Sequence, residues 1–200
     1  LYAELIKNMP NCAQADGTVV LSRHADLDRV YRDTALFRSD KREVFAPKFG
    51  IDTALFAHHT TSLVFNDPPL HSRVRKVITG ALTPRALARM EPALVALVDQ
   101  LLDQMGAQAE LIEDFASAIP IEVIGNLLGV PQQDRGPLRG WSLAILGALE
   151  PALSPEGHAK GNAAVTEFLT YLKALTNERR RNPGDPETDV LTRLLAGTAR

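Results

Sequence analysis

Two basic side chains, His71 and Arg75, lie four residues apart just after the run Asp67-Pro68-Pro69. Residues at i and i+4 share one helix face, and these two are expected near the N-terminal end of a helix, where backbone N–H groups favour anions. An arginine fork suits a carboxylate, and a histidine can donate a ring N–H beside it. The spacing therefore favours a ligand with one or two carboxylates. A solvated helix face, or an arginine paired with a carboxylate of the protein, are alternatives that the spacing leaves open.

Two further basic residues, Arg73 and Lys76, are expected elsewhere on the same helix, at i and i+3. Ordinary solvation is the simplest interpretation of both. The adjacent pair His58 and His59 does not have the i, i+4 spacing of a shared metal site.

The helix that positions His71 and Arg75 is predicted from Asp67 as its N-cap and Pro68 as its first residue, and it should run through Ala81. The rest of the pattern is mainly helical with a small β element. Thr83-Pro84 starts a second helix that continues to Gly106, and Ser154-Pro155 starts another. The other predicted elements are strands at 18–21 and 111–112, helices at 25–32 (with Ser22 as N-cap), 121–128, 134–150 and about 190–195, a long surface loop with one helical turn at 37–65, and a break at 182–186.

Composition limits the class of protein. The chain of 200 residues is 45% hydrophobic and 23% charged with a net charge of −2, which is typical of a globular protein and not of a nucleic-acid binder. The single cysteine, Cys12, excludes an internal disulfide framework and a multi-cysteine zinc site. No apolar run reaches the length of a membrane span, and no secretory leader is recognisable, so a cytoplasmic protein is expected. A start at Leu1 and an end at Arg200 suggest truncation at both ends.

Two stretches carry a family resemblance. The segment Phe65-Asn-Asp-Pro-Pro-Leu-His-Ser-Arg-Val-Arg75, continued by Ala81-Leu-Thr-Pro-Arg-Ala86, resembles helix C of bacterial cytochromes P450 and the segment after that helix. The segment Val20–Val30 followed by Ala35–Ser39 resembles the strand and helix that open that family's fold. The resemblance covers essentially the whole chain but only about the first half of a family member. It implies that residues 1–200 form a single incomplete domain, the N-terminal portion of the cytochrome P450 fold.

The resemblance also implies a cofactor, an activity and partners. The parent protein would bind haem b and insert one atom of O₂ into a small apolar substrate, with electrons from NAD(P)H passed on by a ferredoxin-type donor. His71 and Arg75 would hold the haem propionates, and Arg73 and Lys76 would face the electron donor. His59, Leu63 and Val64 would contact substrate. Trp141, Leu146 and Leu149 fall in the family's lid region, where core packing is the expected role.

The chain departs from the family in what it lacks. The family's axial iron ligand is a cysteine in a Phe-x-x-Gly-x-x-x-Cys-x-Gly loop near the C-terminus, and Cys12 has no such surroundings. No catalytic residue and no metal ligand are therefore expected in this chain, which by itself should be inactive. Two other functions stay open: an all-α ligand-sensing transcription regulator, and a stand-alone helical ligand-binding or interaction protein without catalysis. The regulator would need a basic helix-turn-helix near its start, where this sequence predicts a strand, a helix and a loop.

Overall fold

The computed structural model describes residues 2–197, and these separate into two compact units that meet in sequence at Asp40 and Lys41. A small antiparallel sheet of two strands lies in the first unit, and the second is almost entirely helical. The prediction of a mainly α fold with a small β element is confirmed. A single domain over residues 1–200 stays a prediction.

The first unit contains a helix, a hairpin and a second helix: α1 (Tyr2–Asn8), β1 (Asn11–Ala13), β2 (Val19–Leu21) and α2 (His24–Arg32). The strands pair with Cys12 opposite Val20, and the turn between them contains Gly17 at φ +84°. Ser22 was predicted to cap α2, and that is wrong: Arg23 precedes the helix, and the Ser22 hydroxyl instead donates to the Pro10 carbonyl at 3.3 Å. The strand Asn11–Ala13 has no clear sequence signal, because three residues are too few to show alternation.

The second unit begins with two helices where the sequence predicts a loop. The elements are α3 (Arg42–Phe49), α4 (Ala54–Thr61), a 3₁₀ turn (Leu63–Phe65), α5 (Leu70–Ala81), α6 (Pro84–Ala88), α7 (Glu91–Gln104), a π-helical turn (Leu111–Ala116), α8 (Ala118–Leu128), a 3₁₀ turn (Gln132–Asp134), α9 (Gly136–Gly147), α10 (Pro155–Arg181) and α11 (Val190–Leu195). Thus the loop prediction for 37–65 is wrong, and so is the strand at 111–112. The helix predicted from Thr83-Pro84 to Gly106 is divided into α6 and α7.

Two hydrophobic clusters hold the second unit together. Phe45, Phe49 and Leu55 from α3 and α4 pack against α9 and α10 in the first cluster, and Leu55 and Val165 are completely buried. Val130, Leu138, Leu175 and Leu191 form the second cluster. A β-carbon added at Gly161 would lie only 3.0 Å from a methyl of Leu55, so glycine allows α10 to approach α4 closely there.

Polar contacts also fix α10 against α3 and α4. The Leu55 N–H donates to Asn162 Oδ1 at 3.0 Å, and His158 Nε2 lies 2.9 Å from the Phe49 carbonyl oxygen. The N-cap Ser154 starts α10 as predicted, since its hydroxyl oxygen accepts from the Gly157 N–H at 3.0 Å.

Within residues 2–197 no helix combines the length and the apolar character needed to cross a bilayer.

Candidate functional site

His71 and Arg75 lie on the wall of one open groove along α5. The groove has a volume of about 670 Å³, and Ser72, Thr79 and Thr83 also line it. His71 is half-buried and Arg75 is exposed. Neither side chain forms a hydrogen bond or ion pair with another side chain in the part of the chain that the structure describes. The structure therefore presents two cationic or N–H-donating groups together, on one helix face, towards open space.

The start of α5 differs from the prediction by two residues. The helix begins at Leu70, with Pro69 in the N-cap position, and the peptide bond between Pro68 and Pro69 is cis. A residue before a proline is disfavoured in the helical region, so Pro68 is a poor first helical residue ahead of Pro69. The Asp67 carbonyl still accepts the His71 N–H at 3.1 Å, so the backbone leads directly from Asp67 into the turn that carries His71.

The donor set at this groove fits the carboxylates of a haem. Haem propionates are anionic acceptors, and Arg75 and His71 supply a guanidinium fork and an imidazole on the same face. Thr79 extends the row at the i+4 spacing from Arg75, so the spacing that identified His71 and Arg75 could also have identified Thr79. No group of three or more His, Cys, Asp or Glu side chains suited to a metal ion occurs among residues 2–197.

Arg73 and Lys76 occupy different parts of α5. Both are exposed, but Lys76 lies on the groove wall next to Arg75, whereas Arg73 is outside the groove. The sequence predicts both residues elsewhere on the helix than His71 and Arg75, and for Lys76 this is wrong. Adjacent residues are separated by about 100° around a helix, which allows a long lysine to reach the edge of a groove that its neighbour lines.

The three residues predicted to contact substrate lie in distinct environments. His59 is 2% exposed and stacks on Phe49, with ring centroids 5.3 Å apart. Leu63 is half-buried, and Val64 is 71% exposed on the 3₁₀ turn that leads to α5. The structure therefore places Val64 at the surface, Leu63 in a half-buried position and His59 in the core.

His59 is held in its neutral form by its surroundings. Burial, assisted by repulsion from a protonated His58 and from Lys48, lowers the pKa of His59 to about 4. Burial also lowers the pKa of His58. His59 Nε2 is buried with no hydrogen-bond partner among the described residues. Its ring therefore acts as an aromatic core group beside Phe45 and Phe65.

Asn66 is a buried polar residue that the sequence does not reveal. It is 6% exposed, and its side-chain amide donates to the carbonyls of Thr60 at 3.2 Å and Ser62 at 2.6 Å. Asparagine is usually a surface residue, so its burial depends on the path of the surrounding chain. Only its position inside the segment Phe65–Arg75 could have drawn attention to it.

The lid-region residues differ from their predicted role in one case. Trp141 and Leu149 are half-buried and pack against the first cluster. Leu146 is 62% exposed, so core packing is wrong for this residue. Leu146 lies on the solvent-exposed side of α9, away from the buried Ile145 and Ala148.

The relatives of this chain are identified by sequence similarity, although no family model matches it. The chain is 34% identical over 175 residues to erythromycin C-12 hydroxylase of Saccharopolyspora erythraea, covering 86% of this chain and 41% of that protein. It is 32% identical over 137 residues to the biotin biosynthesis cytochrome P450 of Bacillus subtilis, covering 68% of this chain and 34% of that protein. It thus spans about two-fifths, or less, of the length of these relatives.

Solved structures give the same result. The crystal structure of CalO2 matches with a TM-score of 0.87 at 29% identity, over 98% of this chain and 49% of that one. The ligand-free structure of cytochrome P450 TbtJ1 matches with a TM-score of 0.76 at 30% identity, over 96% of this chain and 46% of that one. By sequence and by fold, this chain belongs to the bacterial-type cytochrome P450 family.

Proposed function

We propose that this chain is part of a haem-thiolate monooxygenase that inserts one atom of O₂ into a small apolar substrate. The pairing of His71 with Arg75 on one groove wall carries the proposal, because it places carboxylate-binding groups in a chain whose relatives include erythromycin C-12 hydroxylase and other cytochromes P450. Cys12 lies in β1 beside Gln14, and we do not assign it as the iron ligand. The axial thiolate is assigned to sequence that this chain does not include.

The chain's own contribution is to bind and orient the cofactor. Haem, when bound, supplies the iron at which O₂ is activated. Arg75 donates charge-assisted hydrogen bonds to a propionate, and His71 donates a ring N–H beside it. Their half-buried and exposed positions on α5 require no rearrangement of another ion pair before the carboxylates bind.

Substrate contact is assigned to the turn before α5. Val64 is largely exposed although it is apolar, and Leu63 is half-buried beside it, which suits contact with an apolar ligand. His59 contributes indirectly, by packing against the ring of Phe65.

The electron donor is assigned to two exposed basic residues of α5, Arg73 outside the groove and Lys76 at its wall. Arg73 and Lys76 would attract an acidic protein of the ferredoxin type that relays electrons from NAD(P)H. Charge steering of this kind weakens as salt concentration rises, because exposed charges are screened.

Haem retention tests the role of His71 and Arg75. In the full-length protein that contains this chain, we expect Arg75→Ala to speed the transfer of haem to excess apomyoglobin by about tenfold to a hundredfold, the usual value of hydrogen bonds to charged groups. His71→Ala should have a smaller effect in the same direction. Arg75→Lys should fall between wild type and Arg75→Ala, because lysine keeps the charge but not the fork.

Arg73→Ala is the matched control, since it removes the same kind of charge from the same helix outside the groove. It should leave haem transfer unchanged. Equal rates of haem loss from the Arg73→Ala and Arg75→Ala proteins would contradict the assignment.

A further inference from the structure

Asn66 joins the end of α4 to the start of the segment that leads into α5. Its amide donates to the carbonyl of Thr60 at 3.2 Å, in the last turn of α4, and to that of Ser62 at 2.6 Å, the residue that follows the helix. Arg42 donates to the same Thr60 carbonyl at 3.3 Å. Asn66 and Arg42 therefore both donate to the end of α4, where the last carbonyls lack partners within the helix, and only Asn66 also binds Ser62.

The chain between these bonds is the turn that carries Leu63 and Val64. Phe65 holds the turn from the other side, because its ring packs edge-on against Phe45 with centroids 5.0 Å apart. With Asn66 and Phe65 both directed inward, Val64 is left 71% exposed. The orientation of Val64 is therefore a consequence of two anchors beside a short turn, the buried Asn66 and the half-buried Phe65.

Asn66 also lies close to α5, the helix that carries His71 and Arg75. Asn66 is in an extended conformation, with φ −121° and ψ 144°, and the next residue, Asp67, accepts the backbone N–H of His71. The turn with Val64 and the helix turn with His71 are thus connected through one buried residue.

We propose that Asn66 is a positioning residue for ligand binding: its amide bonds to Thr60 and Ser62 set how the Leu63–Val64 turn is presented to a ligand in the haem pocket. This inference rests on the proposed function, which places substrate contact at that turn. Asn66 acts through Val64 and does not itself touch the ligand, because its side chain is buried against backbone carbonyls.

Asn66→Asp is the sharpest change for a test. The two side chains have nearly the same shape, but a carboxylate has no N–H to donate and would place oxygen atoms against the carbonyls of Thr60 and Ser62. A buried acceptor facing two acceptors is unfavourable, so the turn should move away from its position. Amides of residues 62–66 should then exchange hydrogen faster in the variant than in the wild type.

The ligand test uses two iron-binding probes of different size, imidazole and 4-phenylimidazole, with the full-length haem-loaded protein. Their dissociation constants are measured from the shift of the haem absorption band. We expect Asn66→Asp to raise the dissociation constant of 4-phenylimidazole about fivefold or more and that of imidazole less than about twofold, since only the larger probe extends to the pocket wall. Val64→Ala should give the same selective weakening. The dissociation constant of 4-phenylimidazole for the double variant should be no higher than that for the single variant with the larger effect.

Three comparisons decide the result. Asn177→Asp, the same change at an exposed position on α10, is the control and should alter neither probe. If Val64→Ala weakens 4-phenylimidazole while Asn66→Asp does not, the inference about Asn66 is overturned and the proposed function stands. If Val64→Ala has no effect, the proposed substrate contact itself fails, and the role of Asn66 fails with it. Should Asn66→Asp not fold, Asn66→Ser, which keeps one donor, is measured with the same two probes.

Discussion

His59 shows how a buried environment changes what a single residue can do. In the sequence it is a histidine in a segment without clear periodicity, and the family resemblance implies that it contacts substrate. In the structure its ring lies among Phe45, Phe49 and Phe65, with centroids between 5.3 and 5.9 Å away. Burial is the main reason that its pKa falls to about 4. His59 therefore contributes to the core only while it is uncharged.

Acid should weaken the fold through His59. A free histidine in the unfolded chain titrates near its ordinary pKa of about 6.5, whereas folded His59 resists protonation until about pH 4. The contribution is thus complete above about pH 6.5, is lost as the pH falls towards 4, and does not change further below that. The free energy of unfolding should fall through His59 by on the order of 2–3 kcal/mol between about pH 7.5 and about pH 4.5. Urea denaturation at the two pH values measures this difference.

His59→Phe should reduce this difference between the two pH values, because phenylalanine fills the site without titrating. His24→Phe changes an exposed histidine on α2 and should leave the difference as it is in the wild type. Equal pH dependence of the wild type and the His59→Phe protein would refute the role assigned to His59.

At the scale of elements, the junction that ends α8 is held by two arginines from other elements. Gly129 ends α8 in the left-handed conformation, at φ +64°, and its carbonyl accepts from Arg179 of α10 at 2.9 Å. The next carbonyl, of Val130, accepts two N–H groups of Arg135 at 3.0 and 2.9 Å. Arg179 also pairs with Asp189, the N-cap of α11, at 2.9 Å. Arg135 therefore fixes the start of α9 to the end of α8, and Arg179 fixes the end of α8 and the start of α11 to α10.

Gly129→Ala should destabilise this junction. A left-handed conformation costs a residue with a β-carbon about 1–2 kcal/mol, and the added atom would also collide with the Arg179 guanidinium. We expect a fall in the free energy of unfolding of about 2 kcal/mol or more, measured by urea denaturation. Gly140→Ala is the control: Gly140 is an exposed helical residue of α9 with no atom near an added β-carbon, and alanine should stabilise it by about 0.5–1 kcal/mol. If Gly129→Ala left the free energy of unfolding unchanged, the junction would have to rearrange without cost, and the prediction would be wrong.

At the scale of the whole molecule, the described residues leave much apolar surface uncovered. A groove of about 470 Å³ between α7, α8 and α11 is lined by side chains such as Leu94, Leu97 and Val123. Elsewhere, Leu143 and Leu146 on α9 are 58% and 62% exposed, and Val64 is 71% exposed. Exposed apolar area on this scale is typical of surfaces that other protein segments or ligands cover.

The 200-residue chain expressed alone should therefore bind the dye 8-anilinonaphthalene-1-sulfonate and self-associate as its concentration rises. Both effects follow from hydrophobic surface that water contacts unfavourably. Dye fluorescence and sedimentation velocity measure them, and the longer protein that contains this chain should show neither. A chain that is monomeric, cooperatively folded and without dye binding would favour a stand-alone helical protein instead.

The elements whose signals are local could be predicted from the residues alone. Ser154 and Pro155 mark the start of α10, Gly129 the end of α8, and the i, i+4 spacing of His71 and Arg75 a shared helix face, because capping, left-handed glycine and helical periodicity depend only on neighbouring residues. The tertiary structure decided the rest. Helices α3 and α4 and the burial of His59 and Asn66 depend on α9, α10 and turn residues that pack around them. Such partners are far apart in the chain, by 107 positions for the Leu55–Asn162 bond and 109 for the His158–Phe49 contact. Burial and its effect on a pKa arise from such distant contacts, and no local pattern contains them.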